Sequence, residues 1–405
     1  MKYKKILPII VICLTLSNPI YSQENRSFLS TFIRDVWQFN PILKEIDARV
    51  EVARAKRTAD SKWLYNPEIG FAVDNKNGAP ISKIISISQS IDWSGKAAAA
   101  GKVANFELQS LIAKREQVQY DLAVNALSKL AKYQLTDESL DLSNHRVEVM
   151  RRFSTFASNA FKIGDINQSS YNLARLAYSQ ALIQNTDAKV AFRQSKQALE
   201  MSIGFPVIDL PSLPNTLPDI KQKNIQNLVE RLPKIRLLKN KLTAAKAEIS
   251  QAALKQTADP TINITGGKSE GDNTVGLSLS IPFNIFNDYS AEVDMAKYQA
   301  IAEEAVLQNA HYLAQVRLKN HQKIYQLLHS AWQTWRQEGA STLLNQVKTL
   351  ENKFKAGDIN ATDYLVQVEQ TLDSEIAAKD LHAKAWEAWF NWLSASGEVK
   401  QWLGE

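Results

Sequence analysis

The chain has 405 residues, 45% of them hydrophobic and 22% charged, with a formal net charge of +6; this is enough apolar material for a sizeable folded body and excludes bulk disorder. Lys2, Lys4 and Lys5 supply three of those charges, and without them the chain stands at 6 − 3 = +3, which is no nucleic-acid-binding signature. The only cysteine, Cys13, lies close to them, so the rest of the chain has no thiol for a disulfide, a thiolate metal site or a cysteine nucleophile.

Residues 1–22 read as a secretory signal: three lysines, the apolar run Ile6 to Leu16, and a polar end with small Ser22 before Gln23, which sets cleavage after Ser22. Lipidation would require Cys13 to become the first residue. Bulky Ile12 and the short apolar stretch before it argue against that. Beyond the signal no apolar stretch approaches the ~18 residues of a spanning helix, so any membrane insertion must use β-strands.

The mature chain repeats itself once. Phe161-Lys162-Ile163-Gly164-Asp165-Ile166-Asn167 returns as Phe354-Lys355-Ala356-Gly357-Asp358-Ile359-Asn360, an offset of 193 that also takes Pro67 to Pro260 and Gly204 to Gly397. The first repeat occupies 23–204 and the second 223–405. Between them, residues 205–222 carry prolines at 206, 211, 214 and 218 and read as an extended linker. Each repeat is expected to run helix, two short strands, long helix, tight turn, helix, giving a mainly α fold with a small β part.

In the first repeat, Ile69, Phe71 and Val73 alternate with Gly70, Ala72 and Asp74, and Ile81, Ile85, Ile87 and Ile91 oppose Ser82, Ser86, Ser88 and Ser90, with Ile84 the exception. In the second, Ile262 and Ile264 alternate with Asn263 and Thr265, and Val275, Leu277, Leu279 and Ile281 oppose Gly276, Ser278 and Ser280. Alternation of this kind fits a half-buried strand. It fits a soluble sheet with one face on a core and a membrane barrel with a wet lumen equally well. Four strands cannot close around a pore, and an open sheet in lipid would leave unpaired backbone edges. A membrane barrel would therefore have to be shared among subunits.

No proline occurs between Pro80 and Pro206 or after Pro282. A helix from about Lys96 to Phe156 would span roughly 90 Å, longer than a compact domain, and is expected to pack as a coiled coil. Ala174, Ala177, Ala181, Ala188, Ala191 and Ala198, with Gln184 and Ser195 in the gaps, mark one seam at three- and four-residue spacing. At the two turns, Gly164 and Gly357 permit the backbone reversal, and Asp165 and Asp358 are expected to cap the helices that follow.

Residues for chemistry are not evident. His145, His311, His321, His329 and His382 include no pair at three- or four-residue spacing, so no metal site is expected. No nucleophile elbow is present, and Gly95-Lys96-Ala97 lacks the rest of a phosphate loop. Trp386, Trp389 and Trp392 recur every three residues and read as core. The chain is not expected to be an enzyme or to need a cofactor.

Phe39-Asn40-Pro41 opening a helix, Asn66-Pro67 leading into a strand, and Ser88-Gln89-Ser90-Ile91-Asp92-Trp93-Ser94-Gly95-Lys96 leading into a long helix resemble the TolC-type outer-membrane efflux family. Leu279-Ser280-Ile281-Pro282-Phe283-Asn284-Ile285-Phe286-Asn287 before Ala291-Glu292-Val293 repeats the plan. The resemblance implies a homotrimer in which each chain gives four strands to a twelve-strand outer-membrane barrel, continued by an α-helical barrel across the periplasm. It also implies contact with outer-membrane lipid, a periplasmic adaptor meeting the turns at Gly164, Asp165, Gly357 and Asp358, and an inner-membrane transporter. It makes Asp363 a candidate gate residue, although the first-repeat equivalent is Ser170 and a second acidic position falls at Val366. The short chain favours the heavy-metal cation branch, hence export of small molecules or metal cations with a resistance-nodulation-division transporter. The outlet of a type I protein secretion system and a soluble periplasmic coiled-coil scaffold are the alternatives.

Overall fold

The computed structural model describes residues 19–206, 208–214, 216–220, 224–339, 343 and 346–404, with side chains from residue 28. The signal expected over 1–22, with Cys13, therefore lies outside the described residues up to residue 18, and parts of the 205–222 stretch are also outside them.

The first repeat holds α1 (Pro19–Phe39), α2 (Pro41–Asp60), β1 (Glu68–Asp74), β2 (Ser82–Ser90), α3 (Lys96–Lys162) and α4 (Gln168–Ile203). Among the described residues the elements that follow are α5 (Ile225–Arg231), α6 (Pro233–Leu254), β3 (Thr261–Ser269), β4 (Asp272–Ser280), α7 (Ser290–Thr334), a π-helical turn (Trp335–Gly339), α8 (Gln346–Ala356), α9 (Ala361–Ser396) and α10 (Val399–Leu403). At 67 residues α3 is about 100 Å long. Asn40 separates α1 from α2: its side chain accepts from the Ile42 amide at 3.0 Å and donates to the Ser202 carbonyl at 3.3 Å, tying α2 to the end of α4.

The second repeat departs from the expected uninterrupted helix. Proline-free sequence is not enough to keep the ladder regular: Trp335–Gly339 widens to π geometry. Gly339 has no side chain because a Cβ there would lie 2.8 Å from Trp335 Nε1, and Trp335 stacks on Trp332 at 5.2 Å. The alanine seam is also shifted. Ala174, Ala177 and Ala181 are buried as expected, but Asn185 takes the place assigned to Gln184 and Ala191 is exposed, while Ser195 and Leu199 are buried. The buried spacing follows the 3.6-residue turn, which drifts from a strict heptad.

One core cluster joins α1, α2, α3, α7, α9 and α10, with Trp386, Phe390, Tyr325, Leu127 and Ile33 fully buried in it. Trp386, Trp389 and Trp392 all belong to it, as core residues. Tyr120 donates to the Leu393 carbonyl and Tyr325 to that of Pro218. Gln134 of α3 donates to the Pro211 carbonyl at 2.6 Å and accepts from the Leu213 amide at 3.1 Å, fastening the proline-bearing segment along the helix. A second cluster, with Met150, Phe153, Ala174, Ala177, Tyr364 and Val368, lies toward the two turns.

Candidate functional site

The four strands form one antiparallel sheet in the order β1-β2-β3-β4, so β2 and β3 join the repeats and β1 and β4 are its edges. Register assigns each side chain to a face. Ile69, Ile87, Ile264 and Leu277 form one row across the sheet, and Phe71, Ile85, Gly266 and Val275 form the next. The apolar members of this face, from Ile69 to Leu279, are 37–87% exposed. No core of this chain covers it, so the sheet does not pack on an interior of its own chain; a contiguous apolar surface of this kind marks a contact with another protein or a membrane.

The opposite face carries Gly70, Ser86, Thr265 and Gly276 in one row and Glu68, Ser88, Asn263 and Ser278 in another. Ile84, the exception to the alternation, stands opposite Gly267. A Cβ on Gly267 would overlap the Lys83 carbonyl oxygen and come within 2.9 Å of Ile84 Cα, so only glycine permits this close pairing. Beyond the strands, β3 and β4 are joined by Glu270 and Gly271, both with positive φ (54° and 102°), a tight hairpin turn matched to strand twist.

All four helix connections leave the sheet at the other end, where a buried polar cluster sits. Asp259, 8% exposed, accepts from Lys96 Nζ at 2.8 Å and from the Tyr65 hydroxyl at 2.7 Å, and Lys96 also donates to the Thr257 carbonyl at 2.6 Å. The hydrogen bond to Asp259, with burial, pushes the Tyr65 hydroxyl up to about 12. Asp92 closes the first turn of α3, accepting from the amides of Gly95, Lys96 and Ala97 at 2.8–2.9 Å. Burial raises the Asp92 carboxyl but those three amides outweigh it, and the net direction is down. Exposed aromatics, Trp63, Trp93, Phe283 and Phe286, ring this junction. Sequence reading took Pro67 and Pro260 as landmarks of the repeat but missed the cluster beside them; an aspartate next to a proline carries no sign of a lysine 163 residues away.

The far ends of the helices are built from the repeated turn. Gly164 and Gly357 have φ of 81° and 79°, and the Asp165 and Asp358 amides donate back to the Ala160 and Lys353 carbonyls at 2.9 and 3.0 Å, the six-to-one bond of a Schellman stop. The aspartates therefore finish the preceding helix with their backbone and do not cap the next. Capping belongs to Asn167 and Asn360, whose side chains accept from the Ser170 and Asp363 amides at 2.8 and 2.9 Å. Asp363, exposed, also accepts from Asn360 Nδ2 at 2.8 Å, a reciprocal cap. Phe161 stacks on Tyr171 at 5.0 Å and, 193 residues on, Phe354 on Tyr364 at 4.7 Å. Phe354 also meets Phe153 and Phe156 at 5.5 and 4.8 Å, joining the two hairpins. The structure thus keeps Gly164/Asp165 and Gly357/Asp358 at one end of the molecule, with Asp363 on the adjoining turn.

Residues 33–204, most of the first repeat, match the outer membrane efflux protein family. Solved structures carry the likeness through the second repeat. A membrane protein of Pseudomonas aeruginosa superposes with a TM-score of 0.77 at 16% identity, over 92% of this chain and 95% of that one. The channel-forming CusC gives 0.76 at 14% identity over 91% of each chain, and the CmeC outer membrane channel of Campylobacter jejuni gives 0.76 at 15% over 92% and 86%. At these identities the likeness speaks to fold alone. No curated protein matches the sequence. Among the described residues no helix is long and apolar enough to cross a membrane.

Proposed function

We propose that the chain is the outer-membrane duct of a tripartite efflux system, closed by three copies. The observation that carries this is the open sheet: an uncovered apolar face, a face of small and hydroxyl side chains behind it, and unpaired edges at β1 and β4. Joining β1 of one copy to β4 of the next satisfies both edges, and three copies give 3 × 4 = 12 strands, with apolar rows toward lipid and polar rows toward a wet lumen. The barrel continues into the helices, with no cofactor and no covalent step.

Charge on the lumen-side face favours small molecules or metal cations as cargo. By register that face holds Glu68, Asp74 and Asp272 and no lysine or arginine in any of the four strands, so a ring of copies presents carboxylates alone. The turns at Gly164/Asp165 and Gly357/Asp358 are the surface offered to a periplasmic adaptor, which would link the duct to an inner-membrane transporter of the resistance-nodulation-division type. Asp363 is the candidate carboxylate at the periplasmic opening, repeated once per copy, with Val366 rather than a second acid one turn on.

Fractionation, detergent extraction and particle-mass determination, followed by conductance in a planar bilayer, test the proposal. A trimer from the outer membrane that conducts cations in preference to anions is expected. A soluble monomer would end the channel reading, and an anion-selective trimer would end the cargo assignment alone.

A further inference from the structure

Lys83 of β2 stands directly opposite Lys268 of β3, one lysine from each repeat. Facing residues of an antiparallel pair are about 5 Å apart at Cα, and like charges so placed are destabilising. Both side chains are exposed, and among the described residues neither ammonium has an ion-pair or hydrogen-bond partner. Lys76, in the β1–β2 loop at the same end, is by contrast paired with Glu270 at 2.9 Å.

The face they occupy makes the pair unusual. Alternation puts Lys83 and Lys268 on the apolar side, in the row Val73, Lys83, Lys268, Asn273, directly beyond Phe71, Ile85, Gly266 and Val275. The two cations and the Asn273 amide thus top the apolar band at the end away from the helices. The helix end of the band is bordered instead by Trp63, Trp93, Phe283 and Phe286. One rim is aromatic and the other cationic, and a membrane whose two surfaces differ in charge would meet them differently.

We propose that Lys83 and Lys268, with Asn273 beside them, form a binding site for the phosphate group of an anionic lipid in the outward leaflet. A phosphate between the two ammonium groups converts their repulsion into two charge-assisted contacts, while the acyl chains lie along the Phe71–Val275 and Ile69–Leu277 rows. The site rests on the reading of the apolar face as lipid-facing. It takes a phosphorylated lipid and not free phosphate, because the apolar rows supply the second half of the contact.

Native mass spectrometry of the detergent-solubilised channel, doped with a diphosphorylated glucosamine-disaccharide lipid, tests the site. Each lysine at an anionic lipid surface contributes roughly fivefold in affinity, so lipid retention should fall about 25-fold in Lys83→Gln/Lys268→Gln. The Lys83→Arg/Lys268→Arg variant should restore it, and Lys76→Gln should leave it unchanged. Equal retention by the wild type and the double glutamine variant overturns the proposal, as does an equal loss in Lys76→Gln, which would show only a general charge effect. Displacement of the lipid by inorganic phosphate at matched concentration also overturns it, in favour of a free-anion site. Bilayer conductance of the same preparations reads the channel separately: conducting variants that retain lipid as the wild type does remove the lipid site and leave the duct standing.

Discussion

Lys96, in the first turn of α3, donates to Asp259, just ahead of β3, at 2.8 Å across 163 residues, and this pair fastens the first repeat's long helix to the second repeat where the sheet meets the helices. Both side chains are largely removed from water, at 17% and 6% exposure. Removing one partner of a buried pair leaves an uncompensated charge and costs about 3–5 kcal/mol, whereas exchanging both for apolar residues is often close to neutral. Asp259→Ala should therefore lower stability more than the double change Lys96→Met/Asp259→Leu. A double-mutant cycle in urea checks this, and additive losses would show that the two do not act as a pair.

The turns separate a folding role from a partner role. Asn167→Ala and Asn360→Ala each remove a helix N-cap and should cost about 1 kcal/mol. Asp165→Ala and Asp358→Ala remove only side chains whose backbone amides do the structural work, and should change stability by less than about 0.5 kcal/mol. If the turns meet an adaptor, the aspartate variants lose adaptor binding while unfolding as the wild type does. Unfolding midpoints beside adaptor pull-down separate the two, and unchanged binding in the double aspartate variant would remove these residues from the contact.

The strands and the long helices were legible because period is a direct consequence of which face is apolar. Ile85 and Ile87 against Ser86 and Ser88 fix a strand whatever lies beyond it. What alternation could not say was whether a core of the same chain covers the apolar side, and the exposure of Phe71 and Val275 shows that none does. The capping residue was misread because Asp165 follows the glycine and belongs to the type that caps, yet the Schellman stop uses its amide and passes the cap two residues on to Asn167. Asn167 and Asn360, each of a cap-forming type directly ahead of a helical stretch, carried the signal that was missed. Little in Trp335–Gly339 marks a π turn: Gly339 alone departs from good helix formers, and the stacking of Trp335 on Trp332 and the lack of room for a Cβ at Gly339 belong to the folded structure.

His382 makes the fold sensitive to acid. Trp386 Nε1 donates to its Nε2 at 3.1 Å and Trp332 stacks on the ring at 4.2 Å, so the imidazole is held as a neutral acceptor. Burial pushes it down from 6.5 to about 4, with Lys379 and Arg336 lowering it and Glu138 raising it. The unfolded chain takes up a proton below pH ~6.5 that the folded chain refuses. Stability is therefore full above about 6.5, falls between about 6.5 and 4, and levels off below. The fall would reach about 3 kcal/mol for a dry ring and about 2 kcal/mol for one partly open to solvent. His382→Gln keeps an acceptor for Trp386 and should remove this slope; urea midpoints across that range that fall equally in both proteins would rule His382 out as the source.

Two adjacent glycines in β3 should behave differently. A Cβ on Gly267 would overlap the Lys83 carbonyl, while one on Gly266 meets nothing nearer than the Thr274 carbonyl at 4.0 Å. The Lys83 carbonyl belongs to the ladder that joins the two repeats, so it cannot yield without opening the β2–β3 pairing. Gly267→Ala is expected to cost at least about 3 kcal/mol, in the range of overpacking against a rigid neighbour, and to abolish assembly of the proposed trimer. Gly266→Ala lies on the apolar face between Ile85 and Val275, adds a methyl where there is room, and should assemble as the wild type does. Oligomer recovery from membranes, compared side by side, reads both. Assembly of Gly267→Ala at wild-type yield would mean that β2 and β3 do not pair in this register, and the face assignments drawn from that register, including the lysine pair, would fall with it.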